Sequence, residues 1–159
     1  PTRALADKLR VTIDPSHRLL GRGGQGKVWA LQGDRALKAE PECAEAAQEA
    51  AICLKLPAKA SLLPCSASEV VQVDGKSFRG VVMARMAGTA MEQKPVAATS
   101  EQVLLWAADL VVALYTLHNT VENTTILHCD LGQHNVFIEE PESRATLIDY
   151  GRATVGARG

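Results

Sequence analysis

A glycine-rich stretch, GRGGQGKVWAL at residues 21–31, limits the folds open to this chain more than any other segment. Gly21, Gly23 and Gly26 lack a Cβ, so the backbone around them can close tightly on phosphate oxygens. The spacing fits two phosphate-binding loops, G-x-x-x-x-G-K and G-x-G-x-x-G-x-V. A helix follows the first loop and a strand follows the second, so the residues downstream decide between them.

Those downstream residues predict strands. The apolar run VWAL begins at Val28, Gly33 and Asp34 form a turn, and RALK then resumes the alternation of a strand. The first loop, the P-loop, also needs Ser or Thr directly after its lysine to place a hydroxyl on Mg²⁺. Here Lys27 is followed by Val28. The sequence therefore predicts strand, turn, strand, turn and strand over residues 21–38, and it excludes the P-loop.

Proline and glycine mark the next elements of the first half. Pro41 opens a predicted helical stretch, PECAEAAQEAAICLKL, and Pro57 closes it. The Asp-Gly pair at 74–75 predicts a tight hairpin turn between strands at 69–73 and 78–86. The first half is therefore predicted to be rich in strands and to hold one helix.

The second half begins with an amphipathic helix, predicted over residues 100–118 with Ser100 as its N-cap. Short strands are predicted afterwards around residues 126–127, 136–138 and 146–148. Apolar residues recur along the helix at helical spacing, and we expect this stripe to lie in the core: Val103, Leu104, Ala107, Leu110, Val111, Leu114 and Leu117.

Composition bounds the class of protein. A chain of 159 residues with 47% hydrophobic and 22% charged residues is long enough for one domain with a real core. The formal net charge of -1 offers no general attraction to nucleic acid or acidic membranes. The chain has no run of about 18 apolar residues, so no membrane span is predicted. Cys43, Cys53, Cys65 and Cys129 lack C-x-x-C or zinc-like spacing, so we expect thiols in a reducing compartment and no metal site there.

Several further motifs carry polar residues in a fixed order: RALK ending at Lys38, GVVMARMAGTAM at residues 80–91, LHCDLGQHN at residues 127–135 and LIDYGRA at residues 147–153. With the glycine-rich stretch, they resemble the motifs of protein kinases over about residues 18–152. The order of the motifs and their predicted strands and helices strengthen this resemblance, because any one of them alone is weak.

The resemblance implies a fold. It would be α+β and bilobal like a protein kinase, with a β-rich N-lobe that holds one helix and a strongly reduced helical C-lobe. It implies one minimal kinase domain over residues 1–159, with the N-lobe at about 1–86, the hinge at about 84–90 and the C-lobe at about 91–159. ATP and Mg²⁺ are the implied cofactors.

The resemblance also implies a nucleotide-binding set. Lys38 would hold the α- and β-phosphates, fixed by an acid from the following helix. Glu49 is the favoured acid, and Glu45, one turn earlier, is the alternative. Met83 would be the gatekeeper beside the adenine. The whole implied set is Gly21, Gly23, Gly26, Val28, Lys38, Glu49, Met83, Ala84 and Met86.

The implied chemistry belongs to residues of the last two motifs. Asp130 would accept or orient the proton of an attacking hydroxyl. Asn135 and Asp149 would hold Mg²⁺ against the phosphates, while His128 is expected to buttress the loop. The implied catalytic set is Lys38, Asp130, Asn135 and Asp149.

Three positions depart from the kinase pattern. Cys129 replaces the arginine of H-R-D, so control by phosphorylation of an activation loop is not expected. Gly132 replaces the lysine that Ser/Thr kinases place near the γ-phosphate, and Arg152 is the candidate replacement. Tyr150 replaces the Phe of D-F-G and keeps an aromatic ring there.

The compact set of motifs is similar to that of the HopBF-type effectors, which are minimal Ser/Thr protein kinases that bacteria inject by type III secretion. This resemblance implies a soluble, monomeric virulence protein that acts in the host cytoplasm. Its implied partner is the host heat-shock chaperone of the ninety-kilodalton class, which it would phosphorylate on a serine and inactivate. Nucleic acids and membranes are not expected partners.

Two other functions stay open from the sequence. A small-molecule kinase of the aminoglycoside or lipopolysaccharide type shares H-x-D-x-x-x-x-N and I-D-(F/Y)-G, and Cys129 and Gly132 fit that type. The complete G-x-G-x-x-G-x-V pattern at residues 21–28, which we call the flap, argues against this type. A pseudokinase that only binds a partner is the second alternative, and the presence of all four implied catalytic residues argues against it.

Overall fold

The chain has an α+β structure in the computed structural model, which describes residues 1–23, 26–58, 61–93, 98–122, 124–139 and 143–157. Three α-helices and ten strands form within these residues. The structure divides into two units, Pro1–Leu54 with Pro64–Arg85, and Lys55–Leu63 with Met86–Gly159.

The first unit contains a five-stranded antiparallel sheet. Its strands are β1 (Leu19–Arg22), β2 (Lys27–Leu31), β3 (Arg35–Pro41), β4 (Cys65–Val73) and β5 (Lys76–Ala84), in the order β1-β2-β3-β5-β4. The predicted hairpin is confirmed, because Asp74 and Gly75 join β4 to β5 with φ angles of 51° and 73°. Positive φ at both turn positions is what a two-residue turn between twisted strands requires.

Two helices belong to this unit, α1 (Thr2–Lys8) and α2 (Ala44–Cys53). Leu5 of α1 is fully buried against Leu37 and Val82 of the sheet, so α1 covers one sheet face. The prediction that Pro41 opens the second helix is wrong. Pro41 ends β3, and α2 begins after Cys43, whose side chain accepts a hydrogen bond from the amide of Ala46.

The second unit is built around α3 (Ser100–Asn119) and short antiparallel strands. They are β6 (Gly88–Ala90), β7 (Thr124–Leu127), β8 (Val136–Glu139), β9 (Arg144–Leu147) and β10 (Thr154–Ala157). One sheet has the order β6-β8-β9, and β7 pairs with β10. α3 packs against β7 and β9. The three strands predicted here from sequence correspond to β7, β8 and β9.

The N-cap of α3 is Thr99 and not the predicted Ser100. The Thr99 hydroxyl accepts from the Gln102 amide at 3.2 Å, and the Gln102 side chain accepts from the Thr99 amide at 2.9 Å. This reciprocal capping box satisfies two backbone donors that the helix itself leaves unpaired. The start of the helix is therefore set one residue earlier than predicted.

The buried face of α3 also differs from the predicted stripe. Trp106, Asp109, Ala113 and Leu117 are buried, whereas Leu104 of the predicted stripe is 71% exposed. Only Leu117 belongs to both sets. By length and composition alone α3 is apolar enough to cross a membrane, a test that core helices also pass, so the absence of a membrane span stays a prediction.

Long-range polar contacts fix that face. The indole Nε1 of Trp106 donates to the carbonyl of Ser143 at 2.9 Å, and Asp109 accepts from Arg144 and from the amide of Ala145. Burial would raise the pKa of Asp109, but the hydrogen bonds from Arg144 and Ala145 outweigh it and leave the pKa below its ordinary value. These contacts tie α3 to β9 and set which side of the helix faces inward.

Candidate active site

Lys38 lies on β3 between two carboxylates. Its Nζ is 2.5 Å from Oε2 of Glu49, which α2 presents, and 3.3 Å from Oε2 of Glu40. Glu45, the alternative partner from the sequence, is exposed, and hydrogen bonds with its own backbone amide and with Cys43 lower its pKa. The structure therefore pairs Lys38 with Glu49 and not with Glu45. This pairing fixes the position of the ammonium group.

Glu40 is a residue that the sequence analysis missed. Only 2% of it is exposed, and no donor among the described residues reaches its Oε1. The cluster of one ammonium and two carboxylates therefore has a formal charge of -1. The spacing K-x-E in the strand was the available signal, because residues two apart in a strand share a face.

The register of the first sheet places several predicted nucleotide-binding residues on one face. Val28 of β2 lies directly opposite Lys38 of β3. Met83 of β5 lies opposite Ala36, which is two residues before Lys38 and therefore on its face. Val28, Lys38, Met83 and Glu40 consequently share one side of the sheet. This is the face opposite the one covered by α1.

Packing requires glycine at one of the three flap positions and not at the other two. A Cβ on Gly26 would lie 2.9 Å from the Cβ of Glu40 and 3.0 Å from the carbonyl oxygen of Ala39, so the chain's own packing requires glycine there. A Cβ on Gly21 or Gly23 would meet no atom within 4 Å. Packing therefore does not explain glycine at these two positions. The Gly23 amide donates to the Gly26 carbonyl at 3.0 Å, and the tip at 24–25 lies outside the described residues.

The predicted hinge residues follow one another where the chain passes from one unit to the next. Met83 is partly buried in β5, and Ala84 is the exposed last residue of that strand. Met86 is the first residue of Met86–Gly159, the longer of the two segments that form the second unit. The amide of Arg85 donates to the carbonyl of Asp34 at 2.9 Å, which ties the end of β5 to the β2–β3 turn.

In the second unit, Asn135 and Asp130 are in direct contact. Nδ2 of Asn135 donates to the backbone carbonyl of Asp130 at 2.9 Å and to its carboxylate Oδ2 at 3.1 Å. Asn135 is buried, and its side-chain amide is oriented so that Nδ2 donates to Asp130. The other polar atom of the side chain, Oδ1, has the chemistry of a ligand for a hard cation.

Backbone hydrogen bonds bring the Asp149 segment beside that pair. The Ile148 amide donates to the Asn135 carbonyl at 3.0 Å, and the Ile148 carbonyl lies 3.1 Å from Nε2 of His128. Asp149 has a φ of 64° and accepts from the Gly151 amide at 3.2 Å. Left-handed backbone at a non-glycine residue costs about 1 kcal/mol or more and concentrates at functional sites. The structure thus brings Asn135, Asp130 and the Asp149 segment together.

His128 supports this cluster from inside. It is 2% exposed, and burial lowers its pKa, although the Ile148 carbonyl and the charges of Asp149 and Asp130 act in the opposite direction. Its ring meets the ring of Tyr150 edge-on at 5.6 Å. The buried imidazole thus contacts both the backbone of Ile148 and the ring of Tyr150, which suits the buttressing role predicted from the sequence.

Tyr150 uses the hydroxyl that distinguishes it from Phe. The hydroxyl donates to the carbonyl of Leu147 at 2.8 Å and accepts from the amide of Leu63 at 3.1 Å. The ring is 1% exposed. These two hydrogen bonds anchor Tyr150, which directly follows Asp149, to the backbone at Leu63 and at Leu147.

Two basic side chains border Asp130. Arg152, the candidate replacement for the missing lysine, has Nη1 3.6 Å from Oδ1 of Asp130. His134, which the sequence analysis missed, has Nε2 3.7 Å from Oδ2. A Cβ on Gly132 would lie 2.5 Å from Cε1 of His134, so the imidazole ring occupies the space beside Gly132. No motif singles out His134, because it falls at a variable position of the loop.

The donor set fits magnesium better than zinc. Among the described residues, no group of three or more His, Cys, Asp or Glu side chains is placed to hold a metal ion. Asn135 and Asp149 offer one amide oxygen and a carboxylate, and Mg²⁺ commonly takes one or two protein ligands and completes its shell with phosphate and water. The donor atoms of Asn135 and Asp149 are therefore of the type that Mg²⁺ prefers.

Comparison with known proteins adds no assignment. A scan of protein-family models found no match to this chain, and a search of curated proteins found none either. The functional argument therefore depends on the geometry of the two residue clusters and on the motifs that contain them.

Proposed function

We propose that this protein is an ATP-dependent Ser/Thr protein kinase with a protein-kinase-like bilobal fold. The observation that carries the proposal is the pairing of Lys38 with Glu49 in one unit, together with the Asp130–Asn135 contact in the other. Each cluster is formed by residues far apart in the chain. Each also joins residues to which the motifs assign a catalytic or nucleotide-binding role.

In the proposed mechanism, the first unit holds the nucleotide. Lys38 neutralises phosphate charge, and Glu49 keeps its ammonium in place. Gly21 and Gly23 leave room for phosphate oxygens to approach the backbone, which would account for glycines that the packing does not require. Mg²⁺, when bound, would offset the charge of the triphosphate and of the carboxylates around it.

The second unit would supply the groups for transfer. Asp130 orients the serine hydroxyl and takes its proton as the oxygen bonds to the γ-phosphorus and the bond to the ADP oxygen breaks. Asn135 holds the Asp130 carboxylate in place through Nδ2, and Asn135 and Asp149 would hold the Mg²⁺ when it is bound. Most of the rate acceleration would come from positioning and charge neutralisation.

The substrate we propose is a protein serine on the host heat-shock chaperone of the ninety-kilodalton class. This part of the proposal is supported by the similarity of the motifs to the HopBF-type effectors. On the same ground we propose that the protein is a bacterial virulence factor delivered by type III secretion into the host cytoplasm.

The test is to incubate the protein with labelled ATP, Mg²⁺ and, separately, the purified chaperone and a panel of aminoglycosides and sugars. We expect label on a chaperone serine, and we expect Asp130→Ala and Asp149→Ala to abolish it without loss of folding. Asp7→Ala, an Asp-to-Ala change at an exposed position of α1, is a matched control that should retain activity. Label on a small molecule, or nucleotide binding with no transfer, would contradict the proposal.

A further inference from the structure

α3 presents a broad apolar face to solvent. The exposed residues of this face, which we call the α3 face, are Val103, Leu104, Leu105, Ala107, Ala108, Val111, Val112 and Tyr115. The one charged residue between Glu101 and Tyr115 is Asp109, and it is buried on the opposite side. The α3 face is therefore uninterrupted by charge over most of the helix.

The size of the α3 face matches an interface. Leu104 and Tyr115 are each 71% exposed and Val111 is 66% exposed. The exposed fractions of the six large side chains of the α3 face correspond to roughly 700 Å² of accessible surface, close to the ~800 Å² that each partner contributes to a standard interface. A surface of this size calls for a partner that covers it.

The order of residues on the α3 face favours a second copy of the same chain. When two identical helices pack antiparallel about a two-fold axis, positions equally distant from the centre face each other across the axis. With the centre between Asp109 and Leu110, Leu104 faces Tyr115 of the other copy. The same symmetry pairs an alanine with a valine at both central contacts, Ala107 with Val112 and Ala108 with Val111.

These pairs suit close packing. A small residue opposite a larger one at the centre lets two helices approach, and the larger Leu–Tyr contacts then close both ends of the interface. Antiparallel packing also sets the N-terminal end of each helix dipole beside the C-terminal end of the other. One surface thus supplies both sides of a self-complementary contact.

A membrane is a less suitable partner. Helices that lie on membranes usually carry Lys or Arg along the polar side, and α3 has neither residue anywhere in its length. The inner side of α3 is tied to β9 by Trp106 with Ser143 and by Asp109 with Arg144. Crossing a membrane would break these contacts.

We propose that the protein forms a two-fold symmetric homodimer through the α3 face. This inference differs from the monomer that the family resemblance implies and is independent of the proposed kinase activity. It requires the α3 face of each copy to pack against α3 of the other copy.

The test measures the mass of the chain in solution by sedimentation and light scattering, from about 1 to 100 µM, a range that brackets a micromolar interface. We expect twice the 17.0 kDa of one chain at the upper end. Val111→Glu should return the protein to 17.0 kDa, because the two-fold axis brings both new charges into the interface. Val155→Glu, an equally charged change at an exposed valine of β10, should leave the dimer intact.

Circular dichroism of each variant verifies folding. If Val111→Glu fails to fold, Leu104→Glu, at a more exposed position, takes its place. A wild-type chain that stays at 17.0 kDa throughout the range would overturn the proposal. So would a dimer that persists in a folded α3-face variant, or a monomer that binds phosphatidylcholine–phosphatidylglycerol vesicles through the α3 face.

Discussion

Two alanine substitutions in the flap separate the glycine that packing requires from one that only a ligand would require. In Gly26→Ala, the new Cβ would lie 2.9 Å from the Cβ of Glu40, closer than such atoms come in real structures. In Gly23→Ala, the new Cβ would meet nothing within 4 Å, and the backbone is outside the left-handed region that favours glycine. The two changes are chemically identical and differ only in their surroundings.

The expected magnitudes follow from those surroundings. Forcing a methyl group into a packed site typically costs about 1–3 kcal/mol, so Gly26→Ala should lower the free energy of unfolding by that amount. For a chain of this length, that corresponds to a fall in Tm of about 3–10 °C. Gly23→Ala should change the free energy of unfolding by no more than about 0.5 kcal/mol. It should nevertheless weaken ATP binding by about tenfold or more, since its methyl group would stand where phosphate approaches.

The assays are urea unfolding, thermal melting and calorimetric titration with Mg-ATP, each applied to both variants. The reasoning would be refuted if Gly23→Ala bound ATP as tightly as the wild type. A Gly26→Ala protein with wild-type stability would show that the β2–β3 packing described above is wrong.

Two further predictions concern ion pairs. Glu49→Gln should raise the KM for ATP at least tenfold in steady-state kinetics, because Lys38 loses the carboxylate that lies 2.5 Å from its Nζ. Glu45→Gln, the control, should leave the KM unchanged. Equal effects of the two substitutions would contradict the pairing of Lys38 with Glu49. The pKa of Asp109 is lower in the folded protein than its ordinary value of 3.8, so the ionised carboxylate stabilises the fold above pH 3.8, and this contribution is lost as the pH falls below 3.8. In Asp109→Asn, the free energy of unfolding measured in urea should therefore fall less steeply in acid than in the wild type. An unchanged dependence on pH would contradict the role of Arg144.

Local chemistry made much of the fold predictable. The Asp74–Gly75 turn was correctly predicted, because positive φ at both turn positions strongly favours that pair. The predicted strands after the flap also formed. Pro41 shows the limit of such signals, since it lies at the end of β3, past the last residue that β2 pairs with, and there the missing amide costs no hydrogen bond to β2.

Long-range contacts explain what the sequence could not show. The spacing of apolar residues in α3 predicted a helix, but both sides of that helix are apolar, so spacing alone could not identify the inner side. Contacts to Ser143 and Arg144, which are 37 and 35 residues from their partners, decide it. Glu40 and His134 were missed for a different reason, because they lie only two and four residues from Lys38 and Asp130 and no motif marks either of them.

The most direct test of the proposed kinase is a crystal structure with a non-hydrolysable ATP analogue and Mg²⁺. The proposal predicts that Lys38 contacts the α- and β-phosphates while Asn135 and Asp149 ligate the metal on the same nucleotide. Phosphates bound away from Lys38, or a metal held without Asp149, would contradict it.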